Sequence, residues 1–340
     1  MAPPRAEIRD GINAQEHLVP LLLPEGSQLR NRYQVSKVLD ASPLRNIYLV
    51  QDLHLRGNTW VAKQMLPVGA EGVNTRALRR RYEQEARAIS SMEHPAIPRL
   101  LDYFFKDQCF YLIREYVPGT DLQTLLAFEG GNFSESDALR LTQPIAELLG
   151  FLLRKKTGPA IFRELSLSSL IITPDGQIKL VDLGFTRLFG KANTLGPVDY
   201  AAPEQFSGEA ADGRTLVYNL GAILYHLISG FNPGDSPFNL DPLDFWAPET
   251  SPATIKIVEK ALQHEPGSRF SSPEEMVKHM KKARVSLQKR KSKTRKTESD
   301  TQPLAEAFPV SAWLAAALTL VFLGVGCYTL YEILFQGMGG

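Results

Sequence analysis

The apolar pattern changes period once, between residues 115 and 121, and that change commits the chain to a fold in two parts. Before it, residues 33–39, 46–52, 59–65, 99–105 and 109–114 are short β-branched and aromatic runs separated by turn residues. This is the pattern of strands packed on a core. One helix interrupts them. Over residues 75–91, Leu78, Tyr82, Ala86 and Ile89 share one face, with charges opposite. His94-Pro95 closes it, because the residue before a proline is pushed out of the helical region. Five antiparallel strands and one helix make a small α+β lobe.

After the connector Glu115-Tyr116-Val117-Pro118-Gly119-Thr120-Asp121 the pattern is mainly helical. Residues 134–155 carry Leu139, Leu141, Ile145, Leu148, Leu149 and Leu152 on one face. Ser134 can cap this helix with Asp137 three residues on, and Pro144 inside it predicts a kink. Two short strands, 170–173 and 177–181, flank Pro174-Asp175-Gly176, where proline fixes φ and glycine supplies a positive one. Residues 217–229, 253–263 and 272 to about 282 read as further helices. Pro266-Gly267 discourages continuation of the second, and Pro273 suits the first turn of the third. From residue 281 the chain reads as a polar linker.

A chain of 340 residues with 44% hydrophobic and 22% charged content can bury a core in two ordinary-sized lobes. The net charge of +1 conceals a segregation. Residues 281–296 hold nine Lys/Arg and no acid, which leaves 29 of the 38 basic residues against 33 acids before residue 281. Attraction to anionic partners therefore resides in one short run. Residues 307–331 then contain no charge, a length above the ~20 residues that span ~30 Å of hydrocarbon. Trp313, Tyr328 and Tyr331 lie near its ends, where amphipathic rings prefer the interface. A buried core helix is the other reading of this run, and it lacks chain beyond it to pack within. A transmembrane helix is expected, with the basic run and the folded body on the cytoplasmic side. That run should draw an anionic membrane surface by ~1 kcal/mol per residue. It has no interleaved aromatics, so nucleic acid is not expected as a partner.

Residues 18–23 are too short and too proline-broken for a signal-peptide core, and residues 1–31 read as an extension lying on the following lobe. Cys109 and Cys327 are not expected to pair, and two free thiols fit a reducing compartment. The histidines form no ligand pair at helical spacing and no zinc pattern exists.

Four short motifs occur in order: Val61-Ala62-Lys63, Phe162-Arg163-Glu164, Asp182-Leu183-Gly184 and Ala202-Pro203-Glu204. With the two-part architecture they resemble the bacterial eukaryotic-like (Hanks-type) serine/threonine protein kinases, from residue 32 to 284. The resemblance implies an α+β, two-lobed protein kinase fold: N lobe 32–114, hinge 115–121, C lobe 122–284. A basic juxtamembrane stretch (285–306), the transmembrane helix (307–331) and a short outer tail (332–340) would follow. It also implies ATP and Mg2+ as ligands. Lys63 would contact phosphate and Glu85 would hold it there, as a cation aimed at phosphate needs an anion behind it. Asp182 would bind magnesium, a hard cation suited to carboxylate oxygen. Glu115 and Val117 would present hinge backbone to the adenine edge, with Ile47, Ala62 and Ile171 around the ring. Arg114 falls just before the hinge, guarding the back pocket, where a long cation is unusual. Glu204 and Arg269 would form a buried pair beneath the activation segment.

Other positions depart from the family pattern. Asp40, Ser42 and Arg45 stand where the phosphate-covering hairpin has glycines, and Pro43 removes a donor. Glu164 replaces the catalytic aspartate, and its extra methylene displaces the carboxylate by about an ångström, a misplacement that can cost ~100-fold. Ser166 replaces a phosphate-steadying lysine, Ser169 an asparagine that ligates the second magnesium, Pro197 a threonine, and Leu216 an aspartate that anchors the catalytic loop. Two readings follow. One is a membrane-anchored pseudokinase that signals or scaffolds, holding ATP weakly through Lys63, Glu85 and Asp182. The other is a weak or atypical serine/threonine kinase, with Glu164 as base and Asp182 and Ser169 as metal ligands. The protein partner or substrate is not readable from the sequence.

Overall fold

A computed structural model describes residues 22–42, 45–65, 75–155, 165–182, 198–207 and 212–299. The expectations for Pro43, residues 162–164, Leu183, Gly184, Pro197, Cys327 and the run 307–331 lie outside the described residues. Among the described residues no helix is long and apolar enough to cross a membrane. The chain divides into a first unit, residues 1–287, and a second, residues 288–340.

The first lobe is a six-stranded antiparallel sheet: β1 (Gln28–Leu29), β2 (Tyr33–Ser42), β3 (Arg45–Asp52), β4 (Thr59–Met65), β5 (Leu100–Lys106) and β6 (Cys109–Glu115), in the order β1-β2-β3-β4-β6-β5. The five expected strands are present. The added edge strand β1 is only two residues long, too short to show a periodicity. Helix α1 (Thr75–Ser90) covers one face, burying Tyr82 and Ala86 against Met65, Phe110 and Leu112. The other face carries Tyr33, Val35, Tyr48, Val50, Ala62, Tyr111 and Ile113. Leu23 packs against that cluster and donates its backbone N–H to Tyr48 Oη at 3.1 Å. Leu23, at the described start of the chain, thus lies on the lobe.

On that outer face Gln64 Oε1 accepts from Asn46 Nδ2 (2.9 Å) and Tyr48 Oη (2.8 Å), and Gln64 Nε2 donates to Tyr111 Oη (2.9 Å). A buried amide is tolerable only when its donors and acceptors are met, and the flanking strands β3 and β6 supply the partners. Asp52, fully buried at the end of β3, accepts from Arg32, Trp60 and the backbone N–H groups of His54 and Leu55.

The second lobe opens with β7 (Thr120–Asp121) and α2 (Leu122–Phe128), which Asp121 caps by accepting from Thr124 N–H. Helix α3 (Glu135–Arg154) starts at the expected Ser134 cap and continues through Pro144. Strands β8 (Leu170–Ile172) and β9 (Ile178–Leu180) complete a second sheet with β7. Helices α4 (Pro203–Ser207), α5 (Gly213–Ser229), α6 (Leu243–Trp246), α7 (Pro252–Ala261) and α8 (Pro273–Ser299) follow. Helix α5 is the hub, with every residue from Thr215 to Ile228 buried. A helix apolar all round belongs in a core. Helix α8 does not give way to a linker near residue 282 but runs to Ser299. Lys, Arg and Gln are good helix formers, and no glycine or proline interrupts residues 274–299. Charge density, which suggested a linker, says little about helicity.

The anticipated pair beneath α5 is bidentate. Arg269 Nη1 and Nη2 donate to Glu204 Oε1 and Oε2 at 2.7 and 2.9 Å, and Thr215 Oγ1 adds a third bond to Glu204 at 2.8 Å. Arg269 also donates to the carbonyls of Gln263, His264 and Arg214. Burial pushes the Glu204 carboxyl up, and the Arg269 bonds outweigh it, holding the group below the usual carboxylate range. A carboxyl lowered on folding stabilises above its ordinary pKa of ~4.3 and loses that contribution as pH falls through the folded value. Arg269→Ala should therefore cost ~3–5 kcal/mol at pH 7, since it strands a buried charge. Urea unfolding at pH 7 and pH 4 checks this: the deficit should shrink at the lower pH. A cost under ~1 kcal/mol at pH 7 would contradict the pairing.

Candidate nucleotide cleft

Strand parity decides which side chains face the cleft between the lobes. Ile47 pairs with Lys63 and Lys63 with Leu112; Leu49 pairs with Val61 and Val61 with Arg114. Directly opposed residues share a face, so Arg45, Ile47, Leu49, Val61, Lys63, Leu112 and Arg114 line one side. Ala62 does not belong with them. It opposes Tyr48 and is buried in the outer cluster. The expectation that Ala62 flanks an adenine ring is corrected: the residue on that face is Val61, one position earlier and 4% exposed. Period two would have found it, since Val61 and Lys63, not Ala62 and Lys63, share parity.

The connector closes tightly on β8. Gly119 has φ +144°, and a Cβ there would lie 2.1 Å from the Ile172 carbonyl oxygen. Only glycine meets both demands. Glu115 donates its backbone N–H to Arg99 O at 2.9 Å, and its carboxylate is on the exposed side, 3.9 Å from Arg99. Val117 is buried and Ile171 half-buried. From below, Leu180 N–H bonds Ala96 O (2.8 Å) and Val181 N–H bonds Ser169 O (2.8 Å). These bonds fix the backbone that delivers Asp182.

Asp182 is where the two lobes meet. Lys63 Nζ lies 2.5 Å from Oδ1, and Arg45 Nη1 donates to Oδ2. Burial pushes the Asp182 carboxyl up, but Lys63 and Arg45 outweigh it and hold the group below the usual range. It stays an anion. The second arm of Arg45 lies 3.5 Å from the half-exposed Asp40. Arg45 itself is set by Ser42, whose Oγ donates to the Arg45 carbonyl (3.0 Å) and accepts its N–H (3.2 Å). Ser42 thus closes the hairpin end with its own side chain and starts β3 with a cation aimed down into the cleft. Sequence reading saw Arg45 as a bulky stand-in for glycine and missed its partner. The signal was available: Arg45 is two residues before Ile47, on the face of Lys63.

Behind this pair is a cavity of ≈ 30 Å³ lined by Lys63, Ile89, Leu112, Arg114, Leu180 and Asp182, among others, about the room of one water. The Arg114 guanidinium is buried there. Burial pulls its pKa down to about 10, with Asp182 opposing and Arg45 adding to the shift, so it is charged at neutral pH. Its Nε has no hydrogen-bond partner among the described residues. Glu85 is half-buried on α1.

Ser169, expected as a metal ligand, is turned into its own loop: Oγ donates to Ser166 O (2.7 Å) and accepts from Ser166 N–H (3.2 Å). Leu216 is buried in the apolar core of the second lobe, so it offers the loop no anchoring hydrogen bond. Among the described residues no three His, Cys, Asp or Glu side chains form a metal-holding group. With both Asp182 oxygens on cations and the Ser169 proton spent on Ser166, a divalent metal ion does not fit the arrangement.

The model of the protein kinase domain matches residues 51–281. The chain belongs to the protein kinase family. It is similar to serine/threonine-protein kinase PrkC of Bacillus subtilis, 26% identical over 84% of this chain and 45% of the relative. It is also similar to serine/threonine-protein kinase PknB of Mycobacterium tuberculosis, 26% identical over 74% and 42%. The chain thus spans under half the length of these curated relatives. The solved PknI kinase domain of M. tuberculosis aligns over 77% of this chain and all of its own, with TM-score 0.64 and 23% identity, which shows the fold. Protein kinases generally use ATP and Mg2+.

Three cations around Asp182 should cost stability. Replacing Arg114 by Met removes a buried charge and leaves Asp182 paired with Lys63 and Arg45. The expected result is a gain of ~1 kcal/mol in thermal unfolding; a loss of that size would show that Arg114 has a counter-ion of its own.

Proposed function

We propose that this chain is a membrane-anchored pseudokinase: a kinase-fold module that signals or scaffolds through a protein partner and transfers no phosphate efficiently. One observation carries the reading, the double ion pair of Asp182 with Lys63 and Arg45. A working site needs that carboxylate for metal and that lysine for phosphate. Here each neutralises the other, and an arginine from the phosphate-covering hairpin completes the lock. The erosion at Ser166, Ser169 and Leu216 points the same way, as does Glu164 in place of an aspartate base. These changes act on one reaction centre, so their effects do not add.

The uncharged run 307–331 and the basic residues before it support anchoring, with residues 281–296 against an anionic cytoplasmic leaflet. The kinase-like unit would then be cytoplasmic. Ile47 and Val61 share one face of the first sheet and with Ile171 would wall a base, which supports retained nucleotide binding in place of catalysis.

Transfer of labelled γ-phosphate to the protein itself and to a generic protein substrate, with Asp182→Ala as the blank, tests this. The expected signal equals the blank. Transfer abolished by Asp182→Ala would establish instead the weak kinase that uses Glu164 as base.

A further inference from the structure

Among the described residues, the charge around Asp182 has the wrong sign for a metal and the right sign for a bare polyphosphate. Lys63 and Asp182 alone sum to zero. Arg45 and Arg114 bring the sum of these four to +2. Asp40, the acid beside Arg45 at the rim, is 49% exposed, where water screens it. The two added cations differ in kind. Arg45 is a long side chain at a hairpin end, 30% exposed, whose ion pairs among the described residues are to Asp40 and Asp182. Arg114 is half-buried, with a buried Nε that no described residue satisfies.

We propose that the cleft binds a nucleoside polyphosphate without a divalent metal, with Arg45 standing where the metal would stand. Asp182 is then a latch, not a metal ligand. In the unliganded protein it holds Arg45 and Lys63 down. When the nucleotide arrives, phosphate oxygens take over both cations and Asp182 gives them up. The exchange swaps one charge-assisted bond set for another of the same kind. It needs no metal because the guanidinium supplies a delocalised positive charge with forked donors matched to phosphate oxygens. Arg114, behind Lys63 and Asp182, keeps the field positive while the latch is open. The base is assigned to the Ile47, Val61 and Ile171 walls below the hinge, which is why a nucleotide is favoured over inorganic polyphosphate.

This rests on the binding half of the proposed function and reaches past it, since a kinase of this family is expected to hold its nucleotide with magnesium. The two can fail separately. Phosphate transfer would remove the pseudokinase reading, whereas metal dependence of binding would remove this one even if no transfer occurs.

The test is isothermal titration of the full chain in detergent micelles with ATP in EDTA, then with ATP plus excess Mg2+. Adenosine and inorganic triphosphate are the comparison ligands. ATP should bind in EDTA, and magnesium should weaken it by neutralising the phosphates. Adenosine and triphosphate should each bind more weakly than ATP. Arg45→Ala should weaken metal-free binding about tenfold or more, the worth of a charge-assisted contact, and Arg45→Lys should restore part of it. Asp182→Asn removes the latch and should tighten metal-free binding. If Asp182→Asn fails to fold, the Arg45 pair and the magnesium comparison decide. Binding that requires Mg2+, or is unchanged in Arg45→Ala, overturns the proposal. So does the absence of ATP binding in either buffer, or triphosphate binding as tightly as ATP.

Discussion

The carboxylate of Asp182 organises this molecule. It reaches the cleft on a backbone strung between the lobes, through the Leu180 bond to Ala96 and the Val181 bond to Ser169. It ends between Lys63 of β4 and Arg45 of β3. Without it, cations from the first lobe would face one another across a poorly solvated space. With it, the hairpin is drawn down and the upper sheet is tied to the lower one. The same carboxylate that closes the structure is the one a phosphotransfer enzyme of this fold would give to metal. It cannot do both at once, and that competition is the physical basis of the functional reading.

Two buried carboxylates here show opposite uses of one chemistry. Glu204 meets Arg269 in a bidentate pair completed by Thr215 and by three carbonyl acceptors on the arginine. Its bonds are local to the second lobe, nearly every polar atom is met, and the arrangement gains stability. Asp182 meets more cations than it can satisfy. Arg114 remains behind it with an Nε unmet among the described residues, and a buried charge without full hydrogen bonding is costly. Such a cost is tolerated at sites that await a ligand more often than in structural cores. This is why the surplus around Asp182 is read as function and the pair at Glu204 as scaffold.

Much of this was legible in the sequence, and what was missed has identifiable causes. The sheet, α1, the connector and α3 with its Ser134 cap followed from periodicity and capping chemistry, which are local. Asp182, Lys63, Glu204 and Arg269 followed from a resemblance carried by motif order. Ala62 lies one position from Lys63 and so on the opposite face of β4, a parity that the three-letter motif does not display. Arg45 was placed but not paired, because a contact across 137 residues of chain leaves no local trace. The length of α8 was misjudged because density of charge was taken as a sign of irregular structure. Ser169 has the right side chain for a ligand, but its hydrogen bonds to Ser166 depend on loop geometry that residue type does not encode.

The central claim is that Arg45 and Asp182 are coupled strongly enough to define the resting state of the cleft. A double-mutant cycle measures this without reference to any ligand. Arg45→Ala, Asp182→Asn and the double variant are compared with the parent chain by urea unfolding. The account predicts a coupling free energy of ~1 kcal/mol or more, with Arg45→Ala costing little once Asp182 is already neutral. Additivity within ~0.5 kcal/mol would mean that the pair is an incidental contact, and the cleft would have to be understood without it.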